Sequence, residues 1–322
     1  MDVQLPLARY RIELRADSPI RFSDYSGSAW RGLFGHALKR TVCVTRAPHC
    51  TGCLLYRSCV YSYVFETPPP PATERLRGAI AAPHPFVLSP DPGLRALSPG
   101  EVTHLDLTLI GRAQQHLPYM VHALSEAGKT GIGRDDGRFE ITRIAQEAEL
   151  GSDQWHPIFD GKTLAPLPPS NASQPPAPQA TALRLLTPMR LKYADRLMTP
   201  ERFESIGLIS NLLRRLSLLS HFHADRPFEY DYAAMQTHAR ALNVAAPALE
   251  WYDWTRYSNR QRTTMQMGGL LGRVELGGAA LEALWPLLWF GQWIHAGKAT
   301  SMGLGRYALE PASLPEAQEH AA

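Results

Sequence analysis

The chain has 322 residues, with 33 Lys and Arg against 30 Asp and Glu, a net charge of +3, and 44% hydrophobic residues. That length buries a sizeable core and fits two domains, the apolar fraction is that of an ordinary soluble globular protein, and the small net charge confines any nucleic-acid surface to a local patch. No charged-then-apolar leader opens the chain, and the apolar run near residues 284–294 is too short to span a bilayer and contains Pro286, so the expectation is a cytoplasmic protein without membrane association.

Residues 8–16 alternate Tyr10, Ile12 and Leu14 against Arg9, Arg11, Glu13 and Arg15, the period of a half-buried strand. After a turn at Ser18-Pro19, residues 27–40 place Trp30, Leu33, Phe34, Ala37 and Leu38 on one helical stripe. His36 falls off that stripe. Its neighbours at helical spacing are Gly32, Lys39 and Arg40, so an imidazole stands on a basic face beside a missing side chain.

All four cysteines follow at once, Cys43, Cys50, Cys53 and Cys59, spaced C-x6-C-x2-C-x5-C. A disulfide framework belongs to small secreted chains; thiolates this close fit tetrahedral structural zinc with Cys50-Thr-Gly-Cys53 as the knuckle, an iron–sulfur cluster and plain thiols being the alternatives and His49 a substitute ligand. Residues 43–83 read as an insertion held by metal rather than by a core of its own. Strands are predicted at 85–88 and 103–110, a helix at 114–127 and a closing strand at 139–144. The order strand, helix, strand, strand, helix, strand is ferredoxin-like, which makes residues 1–160 the first domain.

Residues 161–181, rich in Pro, Ala, Ser and Gln, read as an extended linker. From 182 to 312 the order repeats: a strand at 183–192, a helix capped by Thr199 and opened by Pro200 with Phe203, Ile206, Ile209, Leu213 and Leu216 as its stripe, strands near 249–257 and 269–276, and a last helix at 281–294. Residues 225–247 carry no firm pattern, and 313–322 form a tail. The fold class is therefore α+β, two tandem ferredoxin-like (RRM-like) domains with a four-cysteine insertion in the first.

Each half ends its second helix in the same way. Ala127-Gly128-Lys129, then Gly131-Ile-Gly133, then Arg138-Phe139 matches Ala296-Gly297-Lys298, then Gly303-Leu-Gly305, then Arg306-Tyr307. The order helix, glycine loop, strand is the reverse of dinucleotide fingerprints and P-loops, which place phosphate at a helix N-terminus. An anion held after a helix carboxyl end must rely on Lys298 and on backbone N–H groups left open by Gly297, Gly303 and Gly305. Arg256, Arg260 and Arg262 form a dense basic segment with Tyr257 available to stack on a base.

The run WYDWTRYSNRQRTTMQMGGLLGRVEL, then WPLLWFGQWIHAGKATSMGLGRYAL, resembles the C-terminal half of the CRISPR-associated RAMP endoribonucleases that cut precursor crRNA, the sixth Cas family; GSAWRGLFGHALKR with its four-cysteine module and the TPMRLK strand resemble that family's zinc-bearing members. The resemblance implies metal-independent cleavage within CRISPR repeats, a ribose 2′-hydroxyl attacking the adjacent phosphate to leave a 2′,3′-cyclic phosphate. Such a step needs a base, an acid and positive charge on the phosphate. Histidine suits the proton roles because it titrates near neutrality. Family members carry theirs on or beside the first helix, which His36 matches, with Tyr25 as partner and Lys39 and Arg40 as charge; His295 is the rival. The implied partners are CRISPR repeat RNA and proteins of a CRISPR effector complex. Two competing functions stand beside this one: a non-catalytic RAMP subunit that binds crRNA, and a zinc-module DNA-binding regulator, which would need a base-reading helix that the sequence beside the cysteines does not supply.

Overall fold

The computed structural model of the protein describes residues 3, 5–22, 25–68, 82–168, 174–258 and 263–312. In the first half the chain runs through β1 (Leu7–Ala16), β2 (Ile20–Arg21), α1 (Gly27–Val42), β3 (Phe86–Pro90), β4 (Ala96–Leu97), β5 (Val102–Ile110), α2 (Leu117–Thr130), β6 (Phe139–Glu147) and β7 (Trp155–Phe159). β3, β5, β1, β6 and β7 form one antiparallel sheet in that order, and β2 pairs with β4 as a separate ribbon.

Period-two alternation decides which face of this sheet is covered. Tyr10 and Ile12 lie opposite Leu107 and Leu105 of β5, and all four are buried against α1 and α2. The α1 stripe meets them as the spacing predicts: Trp30 packs edge-on to Phe139 with ring centres 5.3 Å apart, and Phe34 packs edge-on to Phe86 at 5.5 Å. Leu33 of the expected stripe is only partly buried. α1 stops where Cys43 turns extended, and the cysteine module then returns a short π-helical turn, Ser62–Glu66, whose Phe65 lies 5.3 Å from Phe34.

The second half contains β8 (Ala180–Met189), β9 (Lys192–Tyr193), β10 (Arg196–Leu197), α3 (Ser205–His223), α4 (Tyr232–Ala241), β11 (Asn243–Tyr252), β12 (Thr255–Ser258), β13 (Thr263–Gln266), β14 (Gly269–Gly277), α5 (Ala280–Ile294) and β15 (Tyr307–Pro311). Its sheet runs β11-β14-β8-β15. Ignoring the added β7, each half thus orders its four sheet strands as second, third, first, fourth, which is the ferredoxin-like arrangement built twice.

Three local expectations need correction. Thr199-Pro200 opens only a 3-10 turn, Pro200–Arg202, and α3 starts after it at Ser205, so Phe203 lies outside the helix. α2 does not stop at Ala127 but runs on through Gly128 and Lys129 to Thr130. The expected strand at 249–257 is two strands, β11 and β12, and β12 pairs with β13 as a hairpin outside the main sheet. β7 and α4 are further elements that the sequence pattern did not isolate.

The halves share one interior. Leu5, Leu7, Ile110 and Leu150 of the first half belong to the same apolar cluster as Leu185, Leu213 and Leu288 of the second. On the face of the first sheet opposite α1 and α2, buried Arg9 donates to Glu147 at 2.7 Å and lies 4.3 Å from the ring centre of Trp293 on α5. The linker is docked rather than free at its ends: Leu167 donates its N–H to Gln146, and Trp285 donates to the carbonyl of Pro175.

Candidate nucleic-acid interface

Beside the solvent side of α1 lies an open furrow of about 920 Å³. α1 contributes Arg31, Gly32, His36 and Lys39; the turn after α2 contributes Gly133 and Arg134; and Trp254 reaches in from the second half. His36 is exposed, because a residue two positions from the Phe34 and Leu38 core stripe must point away from it. At Gly32, one turn earlier, an added Cβ would meet nothing within 4 Å. A ligand can therefore come close to the α1 backbone beside the imidazole. The furrow holds four cationic side chains, Arg21, Arg31, Lys39 and Arg134, against two carboxylates, Glu66 and Asp136, so its field favours an anion.

Arg31 was not singled out from the sequence, and it is the residue that ties the furrow to the second half. Its Nε donates to Ser301 Oγ at 2.9 Å, and its Nη2 lies 3.0 Å from His84 Nε2. A guanidinium can only donate, so His84 Nε2 accepts and Nδ1 carries the hydrogen toward Thr67 Oγ1, 3.2 Å away. Lys39 lines the furrow but spends one donor on the carbonyl of Pro48, which fastens the cysteine module to α1. Arg40 is exposed on the same helix.

Of the other two expected proton carriers, Tyr25 lines the furrow with His36 and His295 does not. Tyr25 lies where α1 begins, its ring 6.1 Å from Trp254 and edge-on, and burial raises its phenol pKa beyond the usual range, with Arg306 pulling weakly the other way. It is a neutral hydroxyl at any physiological pH. His295 is 3% exposed and sits in the seam between the halves. Its Nδ1 donates to the carbonyl of Leu304 at 3.2 Å, leaving Nε2 to accept from Ser89 Oγ at 3.4 Å. Burial first, then Arg306 and Arg215, hold it well below its ordinary pKa. This corrects the expectation for His295: a neutral imidazole walled in by β3 and its own loop has no access to RNA.

The second glycine loop is corrected for the same reason. Its amides are not open to phosphate: Gly297 donates to Asn211 Oδ1 at 2.7 Å, Gly303 to Thr300 O at 2.9 Å and Gly305 to Pro188 O at 3.1 Å. The glycines are required by space and backbone instead. At Gly305 a Cβ would lie 1.7 Å from Ala296 O, and at Gly303 it would lie 2.2 Å from the Tyr25 hydroxyl and 2.5 Å from Leu88 O. Met302 and Leu304 from this loop pack with Trp254 and Tyr25 as a small apolar cluster at the seam. Only Lys298 remains exposed, its N–H bonded to Arg190 O.

Arg256 lies in β12, its backbone paired with Met265 of β13, while Arg260 and Arg262 lie outside the described residues. Cys43, Cys50, Cys53 and Cys59 all line one small cavity at the foot of α1 and none is in a disulfide. Cys53 donates its N–H to Cys50 O at 3.0 Å, and Gly52 takes φ +83°, the tight turn expected of a knuckle. Cys43 and Cys53 both approach Thr45 Oγ1, at 3.8 and 3.5 Å. The donor set and its common cavity suit zinc, although among the described residues no three His, Cys, Asp or Glu side chains already stand in a metal-holding group. Among the described residues no helix is long and apolar enough to cross a membrane.

Comparison with known proteins agrees with this architecture. A family model for the AF_1859_N N-terminal domain matches residues 5–172, and one for the CRISPR-associated endoribonuclease Cas6 matches residues 183–307. An uncharacterized protein of Archaeoglobus fulgidus is 28% identical over 141 residues, 44% of this chain and 45% of that protein, so the match spans less than half of the curated relative. Among solved structures, a Cas6 (TTHB231) product complex is 20% identical with a TM-score of 0.56 over 94% of this chain and 99% of that one. A Cas6 (TTHA0078) product complex is 18% identical with a TM-score of 0.51 over 96% and 100%. A partial Cas6-RT-Cas1--Cas2 complex is 13% identical with a TM-score of 0.59 over 96% of this chain and 46% of that one. At these identities the solved structures establish the shared fold.

Proposed function

We propose, from the premise that the chain belongs to the CRISPR-associated RAMP-type Cas6 family, that it is an endoribonuclease cleaving precursor crRNA within its repeats. The observation that carries this reading is the exposed His36 standing in a cationic furrow beside the open backbone at Gly32. In this reading the ribose 2′-hydroxyl attacks the adjacent phosphorus in line. The P–O5′ bond breaks, leaving a 2′,3′-cyclic phosphate on one product and a 5′-hydroxyl on the other.

His36 moves the proton, the guanidinium of Arg31 and the ammonium of Lys39 supply positive charge to the phosphorane, and no metal enters the step. Tyr25 is assigned the role of fixing the start of α1 against the second glycine loop. Cys43, Cys50, Cys53 and Cys59 would hold a structural zinc ion that ties the insertion to the end of α1, with Cys50 at the edge of the furrow. A crRNA-binding subunit without cleavage would use the same furrow but would leave His36 dispensable.

The deciding experiment incubates the protein with labelled CRISPR repeat RNA in EDTA, beside RNA carrying one 2′-deoxy nucleotide at the cut and beside the His36→Ala variant. One cut in chelator, none at the deoxy site, and a rate lowered by about 10²–10⁴-fold in the variant are expected. Binding without cleavage by the unmodified protein would replace the enzyme with the binding subunit.

A further inference from the structure

The first glycine loop, which matches the second in sequence, lies on the furrow, and the second does not. Gly131, Gly133 and Arg134 line the same opening as His36. The loop is seated on the β2 ribbon: Arg134 donates its N–H to Arg21 O at 3.0 Å, and a Cβ on Gly133 would stand 2.5 Å from that same oxygen. Only a glycine, here at φ +88°, lets the turn come down onto Arg21.

Two consequences follow from this seating. Arg21 and Arg134, distant in sequence, are brought side by side on the furrow wall, and both are exposed. Neither forms an ion pair among the described residues. The neighbouring amides of Gly131 and Ile132 are spent on Ala127 O and Gly137 O, whereas the N–H of Gly133, which is only partly covered, donates to no acceptor among the described residues. Asp136 shares the wall, but its carbonyl is the group that the missing side chain of Gly131 admits, at 2.0 Å from the absent Cβ, so its place there is a requirement of the turn.

We propose that residues 131–134 and Arg21 form a phosphate-holding rim that takes a phosphodiester of single-stranded RNA flanking the one at His36. The rim rests on the reading of the furrow as an RNA site and adds to it the wall across which the strand leaves. Two guanidinium groups and one open backbone amide recognise phosphate without reading sequence, so the rim sets affinity and register for any base at that position.

The test uses fluorescence anisotropy with a fluorescein-labelled oligouridylate of about twenty nucleotides, titrated at several salt concentrations. An Arg21→Gln/Arg134→Gln variant should bind about tenfold more weakly near 0.1 M salt. The slope of log K against log salt should flatten by about 0.7 for each phosphate that the variant no longer neutralises. Arg202→Gln, an exposed arginine on the 3-10 turn of the second half, should bind as the unmodified protein does, and thermal melting should show all variants folded. Unchanged affinity and slope in the double variant would overturn the rim while leaving the furrow reading standing. Failure of the unmodified protein and of every variant to bind either this oligouridylate or labelled CRISPR repeat RNA would overturn both.

Discussion

The two glycine loops share a sequence, Ala-Gly-Lys, then Gly-x-Gly, then Arg-aromatic, and end in opposite environments. The first comes after a helix that runs through its Ala-Gly-Lys, where Gly128 packs against Phe139 O, 2.1 Å from where a Cβ would be. It then turns on two glycines and stays at the surface. The second follows a helix that stops at His295, and its longer excursion carries Met302 and Leu304 into the seam beneath Tyr25 and β3. Glycine in the first loop lets backbone approach backbone at an open wall. In the second it lets two halves of the protein close on each other. A motif therefore reports that chains come close there, and not what they come close to.

The comparison is broken most severely at Gly305. Gly305→Ala forces a Cβ to 1.7 Å from Ala296 O at φ +70°. The loss should exceed the ~1–3 kcal/mol of the backbone conformation alone, and should appear as a lowered thermal midpoint or as insoluble protein. If the variant melts with the unmodified protein, the second loop is not a structural keystone.

A smaller effect, seen in pH, tests the seam itself. His223 is buried there between Tyr63 and the carbonyl of Pro83, and burial lowers its pKa from 6.5 to about 4, with Pro83 O opposing. The unfolded chain therefore binds a proton more readily than the native one between those values. Stability is fully present above about pH 6.5 and is lost as pH falls toward 4; His295 acts in the same direction. The expected loss from pH 7 to pH 5 is on the order of 2 kcal/mol, read by urea denaturation at each pH. A flat profile would mean that the seam opens without cost to these histidines.

The smallest change sharpens the furrow side. Gly32→Ala places a methyl group where nothing lies within 4 Å, so the helix should gain about 1 kcal/mol in thermal stability. Repeat-RNA cleavage should fall by a fewfold as the methyl group fills the approach beside His36. A variant that is more stable and cuts as fast would show that RNA does not run along that face of α1.

Much of the fold was legible in the residues. Tyr10, Ile12 and Leu14 announced β1 by alternation, and the Trp30, Phe34, Leu38 stripe announced α1 and, by exclusion, set His36 facing outward. Those are one-element properties, fixed by periods of 2 and 3.6. Arg31, Arg21 and Arg134 were missed because nothing in their local spacing marks them; the furrow exists only once α1, the β2 ribbon and the turn after α2 are assembled. His295 was misplaced for a related reason. A histidine beside a glycine loop looks accessible until β3 of the other half is laid over it.

From the sequence alone came the main strand and helix order of each half, the duplication, the cysteine cluster and the outward stance of His36, since each can be read from residue spacing along the chain. Only the tertiary structure decided which glycine loop is exposed, which histidine is sealed and which arginines meet. Those outcomes depend on contacts between residues far apart in the chain, such as Arg31 with Ser301, 270 positions away, and no local pattern encodes what will be packed against it.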